Sequence, residues 1–183
     1  KIHLLDTRYF RSDLEKDPSG LKRYIPTENK ESTILGEKQW AWLENELKNS
    51  TSQFNVIVSS IQFLSKEHGF ETWGNMPHEV QRMMDLIKKS KARGVIILSG
   101  DRHIAEISKT RIPDSDLELV DVTSSGMTHS YDSFTSEPNA FRVGEVISEK
   151  NFGILRFDFI HNRIDIEIRG EENMLLEHYK VNY

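Results

Sequence analysis

Apolar residues along this chain follow two rhythms. Short runs rich in β-branched residues, Ile2 to Asp6, Phe54 to Ser60 and Val95 to Leu98, have the look of buried strands. Between them the spacing turns helical. Trp40, Leu43 and Leu47 form one stripe and predict a helix over Gly36 to Asn49, with Trp42 off the stripe and free to cover a neighbouring element. Val80, Met83, Met84 and Ile87 form a second stripe in a helix opened by Pro77 and ending near Lys91. Lys88, Lys89 and Lys91 complement its dipole, and Gly94 supplies the stop.

After Val95 to Leu98, which Ser99 and Gly100 terminate, the rhythm is strand-like throughout. Ala105 to Arg111 and Leu117 to Thr123 predict two more strands. Three antiparallel strands close the chain, over Phe152 to Phe159, Arg163 to Arg169 and Leu175 to Val181, with turns at His161-Asn162 and at Gly170 to Asn173. Ser12 to Ser32 is a polar loop, long enough for a functional surface loop or lid. His68 to Met76 and Ser130 to Lys150 are expected to be irregular. This order makes an α/β fold with parallel pairing in the first half and an antiparallel edge or second sheet in the second.

Composition changes this picture little. The chain has 183 residues, 37% hydrophobic and 29% charged, enough for one core of ordinary globular type. A net charge of -5 without a Lys/Arg cluster argues against nucleic acid as a partner. No apolar run approaches the roughly 20 residues of a membrane span. Cysteine is absent, which excludes disulfide and thiolate chemistry. The chain opens directly on a core strand, without an initiator Met or signal peptide, and is therefore expected to be part of a longer domain.

The chemistry concentrates where strands end. Asp101 and His103 follow the central strand two positions apart, and in an extended loop both would face one point while Arg102 faces away. One reading makes them metal ligands, an oxygen and a nitrogen donor held close together. The other makes Asp101 a turn cap and His103 a histidine bonded to a carbonyl. Arg8, after the first strand, could grip a phosphate through paired hydrogen bonds or form a salt bridge, with Asp6 orienting it. Arg11 fits a salt bridge better. Gln62 either faces the same cleft or is a solvated loop residue. Ser124, Ser125, Thr128 and His129 offer hydroxyls and an imidazole after another strand, for substrate or metal, or simply to solvent. Trp73 fits an anchor for its loop, and His3, His68, His78, His161 and His178 are expected to be structural or solvated. No phosphate-binding Gly loop, Gly-x-Ser-x-Gly or His-Glu-x-x-His occurs, so metal-assisted chemistry is the enzyme class with support.

Several stretches in one order resemble the carboxyl-terminal half of the alkaline phosphatase D (PhoD-like) family, within the calcineurin-type metallophosphoesterases. They are Leu5-Asp6-Thr7-Arg8, Leu35 to Leu43, Trp73 ahead of Pro77 and Arg82, Leu98 to His103, and Thr123 to His129. The resemblance implies half of a four-layer α/β/β/α sandwich with a two-metal site at the strand ends. It implies that Asp101 binds the second metal, typically calcium, and His103 the first, typically iron. It also implies a phosphate-ester substrate clamped by both metals and attacked by an activated water. Arg8 and His129 are then expected in catalysis, and Arg8, Gln62 and Ser125 at the substrate. Gln62 stands near a position where relatives carry a metal-binding histidine, and no histidine is available there.

The family's remaining ligands lie upstream of this segment. The whole of residues 1–183 is thus expected to be the carboxyl-terminal part of one domain, partnered by the missing amino-terminal half and showing little turnover alone. Export to the periplasm or outside the cell is what the family suggests. A non-catalytic binding or assembly module that keeps the fold is the alternative, and metal content separates the two.

Overall fold

Eleven elements carry the two rhythms into three dimensions. The structure, a computed structural model, describes residues 1–134 and 137–183. In chain order the elements are β1 (Ile2–Leu4), α1 (Gly36–Lys48), β2 (Asn55–Val58), α2 (Pro77–Ser90), β3 (Val95–Ser99), β4 (Ala105–Arg111), β5 (Glu118–Ser124), β6 (Arg142–Ile147), β7 (Phe152–Asp158), β8 (Arg163–Arg169) and β9 (Leu175–Asn182). The first six strands form one sheet in the order β1-β2-β3-β5-β4-β6, and the last three form a second, β7-β8-β9. β1, β2, β3 and β5 run parallel, while β4 and β6 pair antiparallel at the far edge. The chain therefore has both an antiparallel edge and a second sheet.

The six-stranded sheet buries both faces. Its helical side packs Ile57, Ile97 and Leu119 against Trp40, Leu43 and Leu47 of α1 and Met83 and Ile87 of α2. Its other side packs Val56, Ile96, Ile107 and Val122 against Ile164, Ile166 and Ile168 of β8. The strict alternation of β8 explains that contact. Its isoleucines point inward and are fully buried, each contributing roughly 1.5–3 kcal/mol, while Arg163, Asp165, Glu167 and Arg169 face outward in a ladder of ion pairs. Three layers result: helices, sheet, sheet. Among the described residues no helix covers the charged outer face of the second sheet. β1 forms the free edge of the larger sheet, with Ile2 and Leu4 72% and 73% exposed. Among the described residues no helix is long and apolar enough to cross a membrane.

Where elements differ from expectation, a local contact accounts for it. β1 ends at Leu4, not Asp6, because the Asp6 carboxylate accepts the backbone N–H groups of Arg8 and Tyr9, at 2.9 Å each, and turns the chain. β2 stops at Val58, and Ser59 then uses its hydroxyl on the Ile61 carbonyl at 2.6 Å and the Trp73 indole at 3.0 Å. Trp73 is fully buried, the expected anchor. α2 ends one residue earlier than expected, and Lys91 itself takes the left-handed cap conformation (φ 57°), so Gly94 is not the stop. β6 was absent from the expected pattern. It is a half-exposed edge strand, paired with β4 through a register shift near Gly144, and shows no apolar alternation.

Candidate active site at the carboxyl ends of the parallel strands

Because four strands run parallel, the segments after β1, β2, β3 and β5 emerge along one edge of the sheet. These segments carry Arg8, Ser60, Asp101 with His103, and Ser125 with His129. Such an edge is where open α/β sheets place their ligands. A cleft of about 390 Å³ opens there, with Glu71, Asp101, His103, His129, Arg23 and Tyr24 among the residues that line it.

The Gly100 to His103 turn is tighter than the extended loop expected. Asp101 (φ 77°) and His103 (φ 55°) are both left-handed. Non-glycine residues rarely adopt this conformation, at a cost of roughly 1–3 kcal/mol each, and such strain gathers at functional sites. Both side chains still border the same cleft, but by curling, not by alternation. Arg102 between them folds into the protein. Its guanidinium is 6% exposed, bonds both oxygens of Glu137 at 2.6 and 2.9 Å, and lies 4.5 Å over the Phe70 ring. The His103 N–H donates to the Ser125 hydroxyl at 2.9 Å, which itself reaches the Ile104 carbonyl at 3.3 Å. Ser125 therefore braces the turn from the segment after β5. The His129 ring stands edge-on to His103, centroids 5.0 Å apart.

Arg8 links the segments that follow β1, β2 and β3. Its guanidinium donates to Glu71 at 2.6 Å, to Asp101 at 2.9 Å and to the Ser60 hydroxyl at 3.3 Å. Asp6 orients the backbone at Arg8 and not its guanidinium, and those two N–H bonds hold the Asp6 carboxyl below the usual carboxylate range. Arg11 pairs with the second oxygen of Glu71, half-buried, as expected of a salt bridge.

Gln62 requires a correction. It is 1% exposed and lies under the edge, its amide N–H₂ donating to Glu106 at 2.6 Å and Thr123 at 2.9 Å. The chain turns inward at the end of β2, so the residue expected at the cleft became part of the buried layer below it. The other five histidines are occupied elsewhere, as expected. His3 meets Asn55, His78 the Ser32 carbonyl, His161 Asp158, and His178 Asp165, while His68 takes the Phe70 N–H.

The buried layer also holds Asp121, whose Oδ2 accepts the backbone N–H groups of Phe63 and Leu64 at 2.9 Å each. Burial pushes its carboxyl up to about 6, with nearby Glu106 adding to the rise and the backbone N–H bonds opposing it. A folded value above the ordinary 3.8 means that folding favours the protonated form. That contribution, about 3 kcal/mol, is complete below pH 3.8 and is lost as pH rises through 6. Asp121→Asn keeps an acceptor for both N–H groups and should flatten the urea midpoint between pH 4 and 7. Retention of the parental slope in the variant would assign the pH dependence to another group.

Asp101 offers oxygen and His103 and His129 offer nitrogen, a donor set that suits iron or a similar cation. Their number is small, however. Among the described residues no group of three His, Asp or Glu side chains is placed to hold a metal ion.

The class of protein these features define is a three-layer α/β/β sandwich with ionisable side chains gathered at its parallel-strand ends. Residues 1–167 match the sequence profile of the PhoD-like phosphatases, and the chain belongs to that family. It is 28% identical over 119 residues to alkaline phosphatase D of Bacillus subtilis (strain 168), an alignment covering 61% of this chain and 20% of that protein. A solved chain described as "Structure of PhoD" shares the fold with a TM-score of 0.73 at 20% identity, over 99% of this chain and 38% of that one. The chain thus spans well under half the length of either relative.

Proposed function

We propose that this chain forms the carboxyl-terminal wall of a metal-dependent phosphoesterase site that hydrolyses phosphate esters. The observation that carries the reading is the doubly left-handed turn after β3, which brings Asp101 and His103 into one cleft with His129, with Arg8 bonded to Asp101. Asp101 and His103 would each hold one of two metal ions, most simply calcium and iron. When bound, such ions neutralise phosphate charge and supply a nucleophilic water at neutral pH. Arg8, already on Asp101, would orient the phosphate oxygens through its N–H groups, and His129 would contact the ester beside His103.

The rest of the cage would come from the amino-terminal half of the same domain. The exposed apolar side chains of Ile2 and Leu4 on the free edge of β1 support such a neighbour, as does the 38% coverage of the solved chain. The complete protein should therefore contain stoichiometric iron or calcium and cleave para-nitrophenyl phosphate or its diester. Absence of both metal and turnover would overturn the proposal in favour of a non-catalytic module. Arg8→Ala should raise KM about tenfold with a smaller change in kcat, because the guanidinium binds phosphate in ground and transition states alike. Unchanged steady-state kinetics would make Arg8 a purely structural clasp between Glu71 and Asp101.

A further inference from the structure

The cleft has lining residues that the chemistry above does not use. Two of them belong to the polar loop over residues 12–32, which is tied down by its own backbone. Lys16 bridges to Tyr24, and the Ile25 N–H donates to the Glu15 carbonyl at 3.0 Å. The N–H groups of Arg23 and Tyr24 both donate to the Gly69 carbonyl, at 3.1 and 2.9 Å. Gly69 permits that approach. It has φ 80°, and a Cβ there would fall 2.8 Å from the Lys22 side chain. The loop is thereby fixed with Arg23 and Tyr24 on the cleft that the Asp101 turn also lines.

The three arginines lining this cleft or bonded to its lining differ in their partners. Arg8 is neutralised by Glu71 and Asp101, and Arg102 by Glu137. Arg23 has no carboxylate within ion-pair distance among the described residues, and its guanidinium lies exposed, 5.4 Å over the Tyr24 ring. An unpaired cation on the rim of a concave site attracts a second negative charge on the ligand, beyond the one bound at the centre.

Resting on the phosphoesterase reading, we propose that Arg23, stacked on Tyr24, is a specificity-determining residue that selects phosphate esters whose second substituent carries its own negative charge. That charge would be a carboxylate or a further phosphate-type group. The guanidinium suits either through paired N–H bonds.

The test compares para-nitrophenyl phosphodiesters bearing an ethyl, a 2-carboxyethyl or a 2-phosphonoethyl group, hydrolysed by the complete protein. The parent should favour at least one anionic diester over the ethyl diester by about tenfold in kcat/KM, a preference that shrinks as salt is added. The two anionic arms distinguish carboxylate from phosphonate. Arg23→Gln should bring the anionic-to-neutral ratio close to one, and Arg23→Lys should restore much of it. Turnover without preference in the parent, or an unaltered ratio in Arg23→Gln, overturns this proposal alone. No turnover of any of the three diesters overturns this proposal too, and it overturns the phosphoesterase reading as well when para-nitrophenyl phosphate is also left uncleaved.

Discussion

Asp101→Asn and His103→Asn should each lower phosphoesterase turnover of the complete protein by more than about 100-fold, since loss of even an outer-shell partner of a metal ligand commonly costs 10- to 100-fold. The choice of asparagine follows from the backbone. Both positions are left-handed, at φ 77° and 55°, and asparagine tolerates that region better than other substitutes. In Asp101→Asn the amide carbonyl would still accept the Arg8 hydrogen bond now made at 2.9 Å, so the clasp survives while the carboxylate charge is removed. His103→Ala would mix two effects, loss of the imidazole and strain at a left-handed alanine. Urea midpoints close to the parent, with metal content and kcat both reduced, identify the pair as ligands. Near-parental kcat and metal content in either variant would return that residue to a structural role.

The location of this site was legible in the sequence, but its geometry was not. A β-branched run closed by Ser99 and Gly100 announces a buried strand, and a carboxylate and an imidazole just beyond it stand where α/β sheets do their chemistry. The side on which each side chain falls depends on φ, and nothing in Gly-Asp-Arg-His marks two left-handed residues so close together. Gln62 and Ser125 illustrate the same limit. Each occupies a position of promise after a strand, yet one turns under the sheet edge and the other spends its hydroxyl on the Asp101 turn.

Glu71, Arg23 and Tyr131 reach the cleft from irregular segments, where periodicity carries no information. The loop over residues 12–32 was legible as unusual through its length alone, and its attachment through the Gly69 carbonyl is a backbone contact that no side-chain pattern reveals. The helices behind the sheet follow the opposite rule. Trp40, Leu43, Leu47, Met83 and Ile87 are buried because their spacing is helical, and this frame fixes the strand ends that carry the site.

One buried residue of that frame breaks the pattern, and its removal should have the largest effect on stability. Glu79 lies in the first turn of α2, on a position that helical spacing alone leaves polar, yet it is 2% exposed. Its carboxylate accepts the Trp40 indole N–H at 2.8 and 3.0 Å, the Thr33 hydroxyl at 2.9 Å and the Ile34 N–H at 2.9 Å. One side chain thereby joins α2 to α1 and to the segment that enters α1, and the dipole of its own helix favours a negative charge there. Glu79→Ala strands the indole and the Ile34 N–H without an acceptor in a dry interior. Each unmatched buried donor costs about 1–3 kcal/mol, so the variant should lose about 3–5 kcal/mol in urea unfolding. Glu79→Gln should fall between, because its carbonyl can serve one donor while its N–H₂ must face another. If Glu79→Ala lost less than about 1 kcal/mol, the helices would have to be held by apolar packing alone, and the carboxylate would be an incidental guest in the core.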